Sequence, residues 1–333
     1  MTLLSTTISE RLVSSLTKQL DDQNTLPLDS FIHWALYDPE NGYYKQQRKR
    51  VGKSEESDFY TSSSFHKLWA KLILASSIKL LGKEKSNEYV FVEIAAEPES
   101  CLFSETEHPF SSYKVIRLGD DYEIPPLAVV YSNEWLDAQP FKRFSYSKQM
   151  GGWCEHKVKL EKSTIREFIT DTPISLKEVM PAGREEQPED GYTIDWPTGA
   201  HQALLKLIQS SDWKGIFITF DYGFGTKREI LENKPMGSGR AYKNHVQYNN
   251  ILQWPGEQDI TCHLCWEHIM ELLGQNGFQN ISNHSQESFL MKHAPGQLEK
   301  IISQGTQAEI NKVKELIHPH YLGQKFQVIT GRR

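Results

Sequence analysis

The chain has no apolar run near the roughly 18 residues that a membrane-spanning helix needs, so no membrane span is expected. Cysteine is scarce. Cys101, Cys154, Cys262 and Cys265 are the only ones in 333 residues, which excludes a disulfide scaffold. Cys262-His263-Leu264-Cys265, with His268 nearby, has the spacing of half a zinc site. Cys101 and Cys154 stand alone and supply no second pair, so no metal is expected. Basic charge is not in excess: the net charge of −6 argues against bulk nucleic-acid binding. The local run Gln46-Gln47-Arg48-Lys49-Arg50 reads as a solvated loop. No phosphate loop is present, which argues against a general nucleotide-binding enzyme. The opening residues carry one Arg and an acid, Glu10, and lack the apolar core of a signal peptide. A reducing cytoplasmic setting is the expectation. Internal repeats and low-complexity tracts are also missing.

What is present is globular: 38% hydrophobic and 24% charged residues, enough for one large α/β domain with additions or two modest domains. Ile8, Leu12, Leu16 and Leu20 fall four apart and predict a first helix. Asp29 or Ser30 can cap a second, through Phe31, Ile32, Ala35 and Leu36. Ser62 to Ser64 can cap a third, with Phe65, Leu68, Trp69, Leu72 and Ile73 on one side. Region 1–85 therefore reads as a helical lid or wall, because its own core would be thin.

From Tyr89 the pattern changes to apolar runs at 89–94, 113–118, 127–131 and 215–220, which predict strands. The runs near 129 and 217 are the most apolar and fit central positions covered on both faces. Helices are expected at 200–210 and 266–275, and strands near 278–282, 288–292 and 325–330. Such alternation predicts a doubly wound sheet over 86–333, with insertions near 141–199 and 223–262. The stretches 173–199 and 223–240 read as long functional loops.

Ligands bind at the carboxyl ends of strands in open α/β sheets. The run 127–131 stops at Ser132-Asn133-Glu134, with Asp137 and Pro140 following, and Asp221-Tyr222-Gly223 ends another strand. Glu93, Asn133, Glu134, Asp137 and Asp221 are thus expected around one cavity. Acids at such a position can instead cap the next helix. Gly42-Tyr43-Tyr44 reads either as a lid or as a turn with two core aromatics.

The stretch 130–143, VYSNEWLDAQPFKR, resembles the NEFFDALP segment of the MidA family of S-adenosylmethionine (SAM)-dependent methyltransferases. Further blocks follow in the family's order. Phe31 to Tyr44 resembles FMxxALYxPxxGYY, and Asp58-Phe59-Tyr60-Thr61-Ser62 resembles GDFxT(A/S)PE without its Pro-Glu. Phe220-Asp221-Tyr222-Gly223 matches IDYG, Arg240 to His245 matches RAYxxH, Pro255 to His263 resembles PGExDxTxHV, and Gln286 with Phe289-Leu290 resembles QxxFL. The resemblance implies a Rossmann-like class I methyltransferase fold, SAM as cofactor, and a protein substrate or client. That family includes the mitochondrial complex I assembly factor that methylates a protein arginine. An arginine is a planar cation that carboxylates grip with paired hydrogen bonds. Catalytic roles are implied for Glu134, Asp137, His245 and His263, and cofactor contacts for Glu93, Ala95, Glu97, Asn133 and Asp221. Tyr43, Tyr44, Asp58, Glu257 and Asp259 take substrate or lid roles in the same reading.

Two departures stand against the pattern. The first turn reads Glu93-Ile94-Ala95-Ala96-Glu97-Pro98-Glu99-Ser100, where the family has ELGPGRG. Ala95, Glu97 and Glu99 each add a Cβ that disfavours positive φ and narrows the approach to a ligand. The second is length: the 40 positions from Glu93 to Asn133 leave little room for two crossovers, since one βαβ unit takes about 30 residues. The helix after the first strand, and the second strand with its ribose-binding acid, are expected to be lost or reduced. Glu105 or Glu107 are the candidate replacements for that acid. Two readings follow: a SAM-dependent methyltransferase, or a MidA-like binding or assembly factor that has lost SAM binding.

Overall fold

The computed structural model describes residues 3–46, 62–98, 100–175 and 188–333. Its central sheet has six strands: β1 (Val90–Ile94), β2 (Ser112–Ile116), β3 (Leu127–Asn133), β4 (Lys214–Asp221), β5 (Gln279–Ser285) and β6 (Gln327–Arg332). They lie in the order β5-β6-β4-β3-β1-β2. β2, β1, β3 and β4 are parallel, and β6 runs antiparallel between β4 and β5. Val130 on β3 stands opposite Val92 of β1 and Phe217 of β4. Both faces of β3 and β4 are covered, so their sequences read as unbroken apolar runs rather than alternating ones.

Alternate side chains feed two cores. Phe91, Val129, Tyr131, Ile218 and Phe220 point toward helix Lys67–Leu81, whose Trp69, Leu72 and Ile73 cover that face. Val92, Ala128, Val130 and Phe217 point the other way, onto Leu204 and Leu207 of helix Thr198–Ile208 and Trp266 and Ile269 of helix Trp266–Gln275. The family-like alternation is therefore a Rossmann-like sheet with helices on both sides. No helix among the described residues is long and apolar enough to cross a membrane.

β1 is followed on one side by β2 and on the other by β3, so the strand order reverses between β1 and β3. Their carboxyl ends open a crevice there. The apolar run 113–118 forms the second strand, so the expectation from chain length that this strand is lost or reduced is corrected: β2 pairs with β1 from Ser112 opposite Val90 to Ile116 opposite Ile94. The helix is what is missing. Residues 95–111 cross without one among the described residues, and Phe103 and Phe110 fill the space against Phe91 at 4.6 and 5.2 Å.

A second, mainly antiparallel sheet is built from Ser5–Thr7, Thr164–Ile169, Gly152–Glu161, Lys142–Ser147 and Thr193–Trp196 in that order, with Thr25–Pro27 paired to Gly152–Glu161. Region 1–85, read as helical, thus contributes two strands to the insertion's sheet. Helix Leu28–Tyr37 lies on it through Phe31, Ile32 and Leu36, against Val158 and Ile165. A third sheet joins Val246–Tyr248, Arg240–Lys243 and Asp259–Thr261. The expected loop 223–240 includes helix Lys227–Asn233, started by a Thr226–Glu229 capping box. The expected strand at 288–292 is helical instead. Ser285 caps helix Gln286–His293 by accepting from Ser288 N at 3.2 Å, and Phe289 and Leu290 bury side by side.

Candidate active site

A cavity of about 1720 Å³ lies at the carboxyl ends of β1 to β3, between them, helix Leu28–Tyr37 and the 240–263 segment. Pockets for drug-sized ligands measure roughly 300–1,000 Å³, so this cavity exceeds what one such ligand needs.

At the end of β1 the cavity is lined by Glu93, Ile94, Ala95, Ala96 and Glu97. Ala95 has φ 60°, and its N–H donates to Ile116 O at 2.8 Å. This corrects the expectation drawn from the missing glycine. The turn keeps the left-handed backbone that glycine adopts freely, and alanine bears the strain. Glu93 is buried, which raises its carboxyl, although Leu102 N at 2.8 Å and the Tyr113 hydroxyl donate to it and pull the other way. It ties the irregular 95–111 crossing to β1 and β2 while facing the cavity.

Asp120 and Asp121 follow β2 and also line the cavity, and Asp120 Oδ2 accepts from Arg117 N at 2.7 Å. Both were missed from sequence. The signal was available, because acids directly after an apolar strand are what singled out Asn133-Glu134. Glu105 reaches the cavity, whereas Glu107 does not.

β3 ends at Asn133, Glu134, Trp135 and Asp137, all in the cavity wall. Asn133 Nδ2 donates to Glu134 Oε1 at 2.7 Å, and Glu134 itself sits at φ 50° with its N–H on Phe220 O at 2.9 Å. A bulky residue in the left-handed region persists only where its surroundings over-determine it. The surrounding brace is Asp221. Its Oδ2 accepts from Leu136 N at 2.9 Å and Asp137 N at 3.2 Å, and its Oδ1 from Tyr222 N at 2.8 Å. Asp221 is 0% exposed and does not line the cavity, so its expected place as a cofactor contact is corrected: it stands behind the wall and shapes it. Asp137 is 4% exposed, is hydrogen-bonded to Asp221, and its Oδ1 has no hydrogen-bond partner among the described residues. Burial pushes the Asp137 carboxyl well above the carboxylate range, and Asp221, Glu134 and Asp259 add to this.

Across the cavity, Tyr37 OH donates to Ala138 O at 2.7 Å and its ring stacks on Tyr44 at 5.5 Å. Tyr44 OH in turn donates to Asp259 Oδ1 at 2.8 Å. Burial holds both phenols well above their ordinary range, so they act as donors. Tyr43, its sequence neighbour, is fully buried in the core away from the cavity, and the core reading applies to it. Tyr242, His245, Asp259 and His263 also line the cavity. The His263 ring is pushed down to about 4 by burial and by the charges of Lys234 and Arg240, which keeps it neutral. Glu257 is outside, in an exposed ion pair with Lys243 at 2.6 Å. Asp58 and Glu99 lie outside the described residues. Cys262 and Cys265 are buried, the former against Ser238 at 3.4 Å.

Residues 70–282, well over half the chain, match the model of a family described as "Putative S-adenosyl-L-methionine-dependent methyltransferase". The fold is similar to two solved structures of COG1565 superfamily proteins from Burkholderia thailandensis, each 21% identical in sequence. One, bound to S-adenosyl-homocysteine, superposes with a TM-score of 0.82 over 97% of this chain and 92% of that one. The other, a native structure, gives 0.79 over the same shares. The chain belongs to this family of SAM-dependent methyltransferases, and its cofactor is S-adenosyl-L-methionine.

Proposed function

We propose that this protein is a methyltransferase of the MidA type whose acceptor is a protein side chain, with arginine the one its cavity suits best. The observation that carries the reading is the convergence of Glu134, Asp137 and Asp259 with Tyr37, Tyr44, Tyr222 and Tyr242 on one cavity beside the Ala95 turn. Carboxylates and aromatic faces together suit a planar cation.

The residues present fit the cofactor. Ala95 holds the backbone in the conformation that lets it pass close to a ligand, and Asp120 and Asp121 stand after β2, where a ribose-holding acid is expected. The Burkholderia neighbour's bound S-adenosyl-homocysteine is the demethylated form of that cofactor and supports the choice of cofactor. When bound, the cofactor supplies an electrophilic methyl on a sulfonium, so the protein's work is alignment and exclusion of water. Glu134 and Asp137 orient the acceptor from the β3 end, Tyr44 and Asp259 from the opposite wall. His245 and the neutral His263 ring are further polar groups on the acceptor side. The rival reading, a binding or assembly factor without SAM, drew its motive from a broken glycine turn. The left-handed Ala95 weakens that motive.

Calorimetric titration with SAM and with S-adenosyl-homocysteine tests the reading first. Saturable binding of both is expected, followed by transfer of labelled methyl from SAM to an arginine of a protein fraction. Absence of binding at millimolar ligand would overturn it.

A further inference from the structure

We propose that Asp137 and Asp221 share a single proton and act as one monoanionic unit, and that this unit receives the proton the acceptor nitrogen sheds during methyl transfer. The proposal rests on the methyltransferase reading for its second half. Its first half concerns the two side chains alone.

Asp221 is the ionised partner. Three backbone N–H groups, from Leu136, Asp137 and Tyr222, point at its oxygens, and such donors favour the charged form. Asp137 is then the acid whose proton lies between them, because two adjacent buried carboxyls cannot both ionise. The other groups around Asp137 bring no relief. Glu134 on its own turn and Asp259 from the facing strand are acids. Tyr37, Tyr44, Tyr222, Tyr242 and Cys262 are phenols and a thiol, all held neutral by burial.

Oδ2 of Asp221 is engaged twice by backbone N–H groups and Oδ1 once, so the acceptor capacity left over belongs to the Asp137 carboxyl. Its Oδ1 is buried with no hydrogen-bond donor among the described residues, and the residue stands in the cavity wall. A buried acceptor without a donor is costly in a folded protein, and the shared proton, together with a ligand N–H brought to the wall, supplies the donors that the Asp137 carboxyl lacks.

The chemistry balances. The acceptor nitrogen's electron pair forms the new N–C bond, the S–C bond breaks, and its electron pair stays on sulfur as a neutral thioether. A guanidinium that gains a methyl must lose one N–H proton to keep a single positive charge. That proton passes to the Asp137 carboxyl, and the pair goes from one negative charge to none. It returns the proton to solvent when the product leaves. Asp137 is the catalytic member, and Asp221 is a positioning residue that acts through it.

The test uses the full chain labelled with carboxyl-13C aspartate and isotope-edited infrared spectroscopy, with Asp137→Asn and Asp221→Asn beside the wild type. Wild type is expected to show a carboxylic-acid C=O band that persists to pH 8, is lost in Asp137→Asn and changes frequency in Asp221→Asn, where the proton is no longer shared. Methylguanidinium chloride, the probe for the acceptor, is expected to shift the band in wild type and leave the Asp137→Asn spectrum unchanged. Asp137→Asn keeps the hydrogen bonds to Asp221, so a melting temperature no lower than that of wild type guards against a folding artefact. No difference between wild type and Asp137→Asn overturns the shared proton, and a band indifferent to methylguanidinium overturns the acceptor role. SAM titration is a separate measurement. Its failure with the band behaviour intact would count against the methyltransferase reading and leave the shared proton standing.

Discussion

Two clusters of buried charge in this molecule use the same residue types to opposite ends. In the second sheet, Arg143 holds Asp195 through two contacts at 2.7 and 3.2 Å and reaches Glu167 at 3.4 Å. Glu167 also meets His156 Nδ1 at 2.7 Å, and His156 Nε2 meets Ser145 Oγ at 2.7 Å. Glu, His and Ser in that succession are the parts of a hydrolase triad. None of them lines the cavity, and all are buried. Backbone donors close the network: Leu4 N on Glu167 at 3.0 Å and Gly239 N on Asp195 at 2.7 Å. It fastens the N-terminal strand and the 237–239 turn to the sheet. The Asp137–Asp221 pair, by contrast, is acid against acid, with one acceptor atom left over at a cavity wall. Compensation and access, rather than residue type, separate a structural tie from a reactive site.

The sharpest way to break this comparison is to remove the network's cation. Arg143→Met leaves Asp195 and Glu167 buried without it and is expected to cost about 3–5 kcal/mol in urea unfolding. A loss under about 1 kcal/mol would place the network in the same class as the surface ion pairs. The same chemical change made in both clusters should then diverge. Asp195→Asn gives up charged hydrogen bonds to Arg143 and is expected to cost about 2–3 kcal/mol. Asp137→Asn replaces an acid already neutral and is expected to leave stability within about 1 kcal/mol of wild type, on the stabilising side. Methyl transfer should nonetheless fail in it.

The two clusters should also respond oppositely to pH. Burial would raise Glu167, but the His156 hydrogen bond and the Arg143 charge outweigh it and hold the carboxyl low. Its contribution is therefore present above the unfolded value of about 4.3 and lost as pH falls through the folded one. Asp137 is raised, so the folded state holds a proton that the unfolded chain releases above about 3.9. Its stabilising proton is fully felt at low pH and fades as pH climbs from there toward its folded value. Melting curves from pH 5 to 8 should fall more steeply for wild type than for Asp137→Asn. Parallel curves would remove the distinction.

The smallest expected effect is at Ala95. Glycine there relieves a left-handed alanine worth about 1–2 kcal/mol, against roughly 0.5–1 kcal/mol of added unfolded-state entropy. Ala95→Gly should stabilise by about 0.5–1 kcal/mol and tighten SAM binding by a few fold, read by calorimetry.

Much of this was legible in the residues. The unbroken runs of β3 and β4 announced strands buried on both faces, and the polar residues that end β3 announced the cavity. The strand Gly152–Glu161 was legible too, and went unread: His156, Val158 and Leu160 are buried while Lys159 and Glu161 are exposed, the period of a half-buried strand. Helix Gln286–His293 was not legible, since Phe289 and Leu290 side by side suit a strand as well as a helix, and only the docking against Trp69's helix selects one.

By itself the sequence determined the two central strands and which polar residues are released at their ends, because periodicity acts over a few residues. The tertiary structure decided everything that depends on direction. Tyr43 and Tyr44 are neighbours, yet one fills the core and the other faces the cavity. Ala95 took the glycine conformation because β1 and β2 hold its N–H against Ile116 O. Asp221 became the brace behind Asp137, 84 residues away in the chain, because parallel pairing of β3 with β4 brings their ends together. Contacts between elements so far apart carry no local signature, so only the packed sheet could assign one aspartate to the cavity and the other to the wall behind it.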